Sequence, residues 1–80
     1  MKLQLYYKDT CPYSQKVLRF LDKHEIGEEQ VERKDILEDL SIGDELEEKG
    51  GKRQVPCLFV DDEPMYESSD IIAFLKEKLL

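Results

Sequence analysis

The chain has no tryptophan, one histidine and only two cysteines, Cys11 and Cys57, in 80 residues. Two cysteines far apart in the chain are too few for a disulfide-stapled scaffold. No Cys/His set has the close spacing of a structural zinc site. With three prolines and four glycines there is no Pro- or Gly-rich linker, no low-complexity tract and no internal repeat. The expectation is one domain over residues 1–80. No apolar run approaches the roughly 20 residues of a membrane span, and Met1-Lys2-Leu3-Gln4-Leu5 is too short and polar for a signal peptide, so no membrane is expected as a partner. Basic residues are also scarce. Twelve Lys and Arg face nineteen Asp and Glu, for a net charge of -7, and that balance excludes phosphate-backbone recognition and nucleic acid as a partner. A cytoplasmic, reducing setting is the expectation, with a monomer as the default. The 40% of hydrophobic residues suffices for one small core.

Leu3, Leu5 and Tyr7 alternate with Gln4 and Tyr6, the period of a strand. Thr10-Cys11-Pro12 starts a helix with Pro12 at its first position. Val17, Leu18, Phe20 and Leu21 form its apolar stripe, and Gly27 is the expected stop. A short strand is expected over 30–34. Ser41 with Asp44 resembles a capping box for a second helix. Ile42, Leu46 and Leu40 give that helix a thin apolar face, Glu45, Glu47 and Glu48 a solvated one, and Gly50-Gly51 its end. Gln54 to Val60 reads as a strand buried on both faces. A turn over 61–64 leads to a return strand, Met65-Tyr66-Glu67. Ser68 or Ser69 then caps a last helix carrying Ile71, Ile72, Leu75 and Leu79. The order is β-α-β-α-β-β-α: a right-handed β-α-β crossover followed by a hairpin. It implies an α/β fold with a four-stranded mixed sheet and helices on both faces.

Three features carry chemistry. Cys11-Pro12-Tyr13-Ser14 lies between a strand and a helix, where free N–H groups and the helix dipole favour a thiolate. Lys8 adds a nearby cation. The plain alternative is a cysteine that only fills a gap. Val55-Pro56 puts a proline where the most apolar strand should lose a ladder donor, which a cis peptide or a bulge would resolve. Glu67-Ser68-Ser69-Asp70 precedes a helical stripe whose free N–H groups can hold a carboxylate, or it is an ordinary cap.

In this order, Tyr7-Lys8-Asp9-Thr10-Cys11-Pro12-Tyr13, Gly51-Lys52-Arg53-Gln54-Val55-Pro56 and Tyr66-Glu67-Ser68-Ser69-Asp70-Ile71-Ile72 resemble the glutaredoxin family of the thioredoxin fold. The last of the three is closer to the N-terminal domain of glutathione transferases. The resemblance implies a glutathione-dependent thiol–disulfide oxidoreductase with glutathione as co-substrate. Its partners would be glutathionylated proteins or small disulfides. Cys11 would take the glutathionyl group, and the Val55 backbone before Pro56 would pair with the glutathione cysteine. Ser68, Ser69 and Asp70 would hold the γ-glutamyl end, and Tyr13 would wall the groove. Lys8, with Lys52, Arg53 or Gln54, would meet the glycine carboxylate.

Ser14 departs from the family's Cys-Pro-Tyr-Cys. It fits a natural monothiol glutaredoxin and equally a resolving cysteine replaced by design, and it implies monothiol exchange. Cys57 reads as a core cysteine, with an unusual resolving thiol as the alternative. His24 is expected exposed near the end of the first helix. Two other functions stay open. One is a dimer-bridging [2Fe-2S] carrier with Cys11 and glutathione as ligands, although the Cys-Gly-Phe-Ser motif of the dedicated carriers is absent. The other is a glutathione-binding transferase-like domain. The net charge predicts a mild, salt-weakened preference for basic partners.

Overall fold

A computed structural model describes all residues from Met1 to Leu80. The elements are β1 (Leu3–Tyr7), α1 (Pro12–Lys23), β2 (Glu32–Asp35), α2 (Leu40–Gly50), β3 (Cys57–Val60), β4 (Glu63–Met65) and α3 (Ser68–Leu79). The sheet order is β2-β1-β3-β4. β1 runs parallel to β2 and antiparallel to β3, and β3 and β4 form the antiparallel hairpin. This is the expected α/β, β-α-β-α-β-β-α arrangement.

β1 is central, so both of its faces are covered and its alternation separates two packing environments rather than core from water. Leu3 and Leu5 join Val17, Phe20 and Leu21 of α1, Leu58 of β3, and Ile71 and Leu75 of α3 in one cluster. Tyr6 faces the other way and packs with Leu46 of α2, Cys57 and Phe59. The Tyr6 and Phe59 rings meet edge to face with centroids 5.2 Å apart. Gln4 is buried on β1 as well; its side-chain amide donates to Glu32 and its oxygen accepts from Lys49.

Several boundaries differ from the sequence reading. α1 ends at Lys23, before Gly27, because His24 leaves the helical conformation. His24 is half-buried with its ring 4.6 Å from that of Phe20, rather than fully exposed. β2 begins at Glu32, two residues later than expected. Val31 packs into the core just ahead of it, and the polar strand is held by pairing with β1 instead of by burial. Asp39, not Ser41, caps α2: its carboxylate accepts the Ser41 N–H at 2.9 Å. Leu40 is exposed and adds nothing to the apolar face. Gly51 takes the left-handed conformation, φ 86°, that closes the helix. β3 starts at Cys57; Gln54, Val55 and Pro56 precede it as non-ladder backbone, and Val55 and Val60 are only half-buried. The return strand is Glu63–Met65, not 65–67, and carries Pro64 on the sheet's edge, where its missing N–H costs no ladder bond. Glu67 occupies the cap position of α3 without a side-chain bond, so neither Ser68 nor Ser69 serves as its cap.

Glu45 corrects the reading of a wholly solvated acidic face. It accepts the Tyr6 hydroxyl and, at 3.0 Å, the Lys34 ammonium, tying α2 to β1 and β2.

Candidate functional site

Cys11 is the N-cap of α1, with φ -85° and ψ 122°, and Pro12 follows at the first helical position. The sequence favours this geometry because Pro12 has no N–H to leave unsatisfied and its fixed φ suits the helix start. The thiol of Cys11 is half-buried and free. Burial pushes it up, but the N–H and hydroxyl of Ser14, the N–H of Tyr13 and the Lys8 ammonium outweigh burial. Its pKa therefore lies below the ordinary thiol value. A cysteine with that bias ionises more readily than an ordinary thiol, and the thiolate is the nucleophilic form.

The loop entering Cys11 is tied at several points. The Cys11 N–H donates to the Lys8 carbonyl at 2.9 Å. The Lys8 N–H donates to Ser14 Oγ at 3.2 Å. The Gln15 amide donates to the Asp9 carbonyl at 2.9 Å. Ser14 itself is fully buried.

A groove of about 280 Å³ is lined by Tyr13, Gln54, Val55, Pro56, Glu67 and Ser68. All six lie in segments that the sequence marks, and three separate stretches of chain bring them together. Tyr13, 60% exposed, comes from the first turn of α1. Val55 and Pro56 join through a cis peptide bond. The Val55 N–H and carbonyl take no part in any backbone or side-chain hydrogen bond, because β3 begins two residues later. Ser68 opens α3. Cys11 and Lys8 lie outside the lining itself, joined to it through Tyr13, and the exposed Ser69 and Asp70 also lie outside it.

Glu67 is the groove residue that the sequence reading assigned no role. It stands at φ 63°, a conformation rare for a residue with a side chain. Its position heading the Glu-Ser-Ser-Asp run was the available signal. Arg53 is engaged away from the groove, donating to Asp44 and Glu47 of α2. Lys52 lies over the Tyr66 ring, 4.3 Å from its centroid.

Cys57 sits next to Pro56 in sequence but on the α2 side of the sheet, fully buried with Tyr6, Leu46 and Phe59, across the sheet from the cluster that α1 joins. Burial pushes its thiol up to about 11, and the Tyr66 hydroxyl and Met65 N–H offset only part of that. This environment is that of an inert core cysteine. No group of three or more His, Cys, Asp or Glu side chains is close enough to hold a metal ion, and no helix is long and apolar enough to cross a membrane.

Comparison with known proteins places these features in a family. Reduced glutaredoxin from Escherichia coli is 30% identical to this chain, with a TM-score of 0.67 over 99% of this chain and 98% of that one. Glutathione transferase E6 from Drosophila melanogaster is also 30% identical, with a TM-score of 0.70 over 96% of this chain but 34% of that one. An epsilon-class glutathione S-transferase from the housefly Musca domestica is 26% identical, with a TM-score of 0.71. The chain thus spans about a third of the length of the transferases it matches. No curated protein sequence matches it. The glutaredoxin family model matches residues 3–65, a span that contains Cys11, Ser14 and the cis Val55-Pro56 bond, and the chain belongs to the glutaredoxin family.

Proposed function

We propose that this protein is a glutathione-dependent thiol–disulfide oxidoreductase that works through Cys11 alone. The observation that carries the proposal is the pairing of a stabilised Cys11 thiolate with a neighbouring groove whose wall includes the unpaired backbone of Val55. A cysteinyl peptide can lie along that backbone as an added strand.

The Cys11 thiolate attacks the glutathione sulfur of a glutathionylated thiol. The new bond joins Cys11 to glutathione, and the substrate leaves as a thiolate that takes a proton from water. A second glutathione, as thiolate, attacks the glutathione sulfur of that adduct, releasing glutathione disulfide and restoring the Cys11 thiolate. The mixed disulfide is exchanged for glutathione disulfide with one free glutathione consumed, the substrate leaving as a thiol, so no further electron donor enters the cycle. Ser14 has no thiol to intercept the adduct, and Cys57 is enclosed on the α2 side of the sheet. This favours the monothiol route.

Tyr13, Gln54, Val55, Pro56 and Ser68 would contact the tripeptide directly. Lys8 would offer its cation to one carboxylate, and the start of α3, with Ser69 and Asp70, would meet the γ-glutamyl end. The substrates are glutathionylated proteins or small disulfides.

The test is intact mass of the reduced protein after mixing with a glutathionylated peptide. One glutathione is expected on Cys11, removed again by free glutathione. Absence of any adduct while Cys11 still reacts with iodoacetamide would overturn the proposal.

A further inference from the structure

The net charge of -7 is unevenly placed. On one face of the sheet, α2 carries Asp44, Glu45, Glu47 and Glu48 against the single cation Lys49. On the other face, α1 carries Lys16, Arg19 and Lys23 against the single acid Asp22. The cations in and around α2 are engaged: Lys34 with Glu45, Lys49 with Asp62, and Arg53 with Asp44 and Glu47. Asp22 is drawn off by Arg33 of β2. Lys16, Arg19 and Lys23 are exposed and enter no ion pair.

Tyr13, Lys16, Arg19 and Lys23 recur at helical spacing, so they share one face of α1. The buried residues Ser14, Val17, Phe20 and Leu21 point away from that face. Tyr13 walls the groove, and the Lys16 ammonium lies over its ring, 5.4 Å from the centroid. The stripe therefore begins at the groove and leads away from it for roughly 15 Å at about 1.5 Å per residue. An extended segment of about five residues covers that length. Glu67 and Asp70 belong to the start of α3 and not to this stripe. The acidic remainder of the surface repels a large polyanion, which restricts the occupant to a short segment.

We propose that this stripe is a docking track for acidic segments of protein substrates, lying within about five residues of the cysteine that exchanges with Cys11. Net charge alone favours basic partners; its placement favours acidic ones at the reactive end of the molecule. Complementary charge at this site raises the rate of productive encounter, and salt weakens it.

The proposal rests on the exchange at Cys11, so its test has one arm that needs glutathione and one that does not. The first arm follows glutathione transfer to Cys11 from peptides whose glutathionylated cysteine is flanked by a run of Asp, Ser or Lys. The second follows alkylation of Cys11 by iodoacetylated peptides with the same runs, read by peptide mass. At about 0.01 M salt the screening length is about 30 Å, longer than the stripe; at about 1 M it is about 3 Å. The Asp peptides should react several-fold faster than the Ser peptides at low salt and the Lys peptides more slowly, with all three converging at high salt. Arg19 and Lys23 are exposed, so Arg19→Gln combined with Lys23→Gln should leave the fold and the rate with Ser peptides unchanged. The double substitution should bring the Asp rate down towards the Ser rate. Alkylation at low salt that is equal across the peptides, or faster with Lys, would overturn the proposal, as would an Asp preference undiminished by the double substitution. An Asp preference in alkylation without glutathione transfer from any peptide would uphold the track and strike only the proposed function.

Discussion

The isolation of Cys57 makes a quantitative prediction about alkaline stability. Its thiol is fully buried, with its pKa pushed from 9.0 to about 11. In the unfolded chain it ionises near the ordinary value; in the folded chain it stays protonated. Between these two values the folded state binds more protons, so stability falls as pH rises. The contribution is negligible at pH 7, about 0.4 kcal/mol at pH 9 and about 1.4 kcal/mol at pH 10, approaching about 2.7 kcal/mol above both pKa values. Tyr6 and Tyr66, whose hydroxyls are also raised by burial, add to the loss at the alkaline end. The contribution of Cys57 is therefore isolated by comparison with Cys57→Ala. Urea unfolding of both proteins at pH 7, 8, 9 and 10, with reductant present, gives two stability curves. Cys57→Ala lies lower at neutral pH because it leaves a small cavity, and the gap narrows by about 1.4 kcal/mol by pH 10. Parallel curves would refute the buried, protonated thiol. They would also reopen Cys57 as a resolving group, because a thiol that ionises as freely in the folded chain as in the unfolded one is not sealed from the reaction.

Two further predictions concern the packing and closure of α2. Leu46 is the large apolar side chain that α2 buries completely, so Leu46→Ala should cost about 2–5 kcal/mol, seen as a lower urea midpoint; a loss under about 1 kcal/mol would show that the Glu45 bonds to Tyr6 and Lys34 dominate the docking. Gly51 sits at φ 86° with open space where a Cβ would point, so Gly51→Ala should cost about 1–2 kcal/mol through conformational strain alone, with unchanged Cys11 alkylation; an unchanged midpoint would argue against a left-handed cap.

Patterns in the sequence tracked the fold where burial and local chemistry agreed. Pro12 after Cys11, the apolar stripe of α1 and Gly50-Gly51 at the end of α2 all act within a few residues, and the structure places them as read. The β2 segment was harder to place because Glu32-Arg33-Lys34-Asp35 has no hydrophobic period; its pairing with β1 is decided by a neighbour far away in sequence. The burial of Gln4 and Tyr6 was hidden for the same reason, since alternation cannot tell a strand with one wet face from a central strand between two helical layers. Asp39 and Ser41 are both competent caps, and only the backbone path selects Asp39. At the site, Cys11, Val55-Pro56 and Ser68 were legible because thiol, proline and serine signal special backbone chemistry. Glu67 was not: a glutamate at positive φ carries no compositional mark, and its place in the groove comes from the turn between β4 and α3. The bond from the Lys8 N–H to Ser14 Oγ depends on the loop folding back, which no local spacing reports.

Both borders of the sheet are guarded. β2 consists entirely of charged residues, and β4 has Pro64 at its middle position. Charge on one edge and a missing donor on the other discourage a second sheet from adding at either side. The open main-chain donor and acceptor of Val55 lie away from those borders, in a concave wall too short for more than a few residues of a visiting chain. The fold thus separates two demands on exposed backbone. It repels indiscriminate strand addition, which leads to aggregates, and it leaves one brief stretch of unpaired peptide open in the groove.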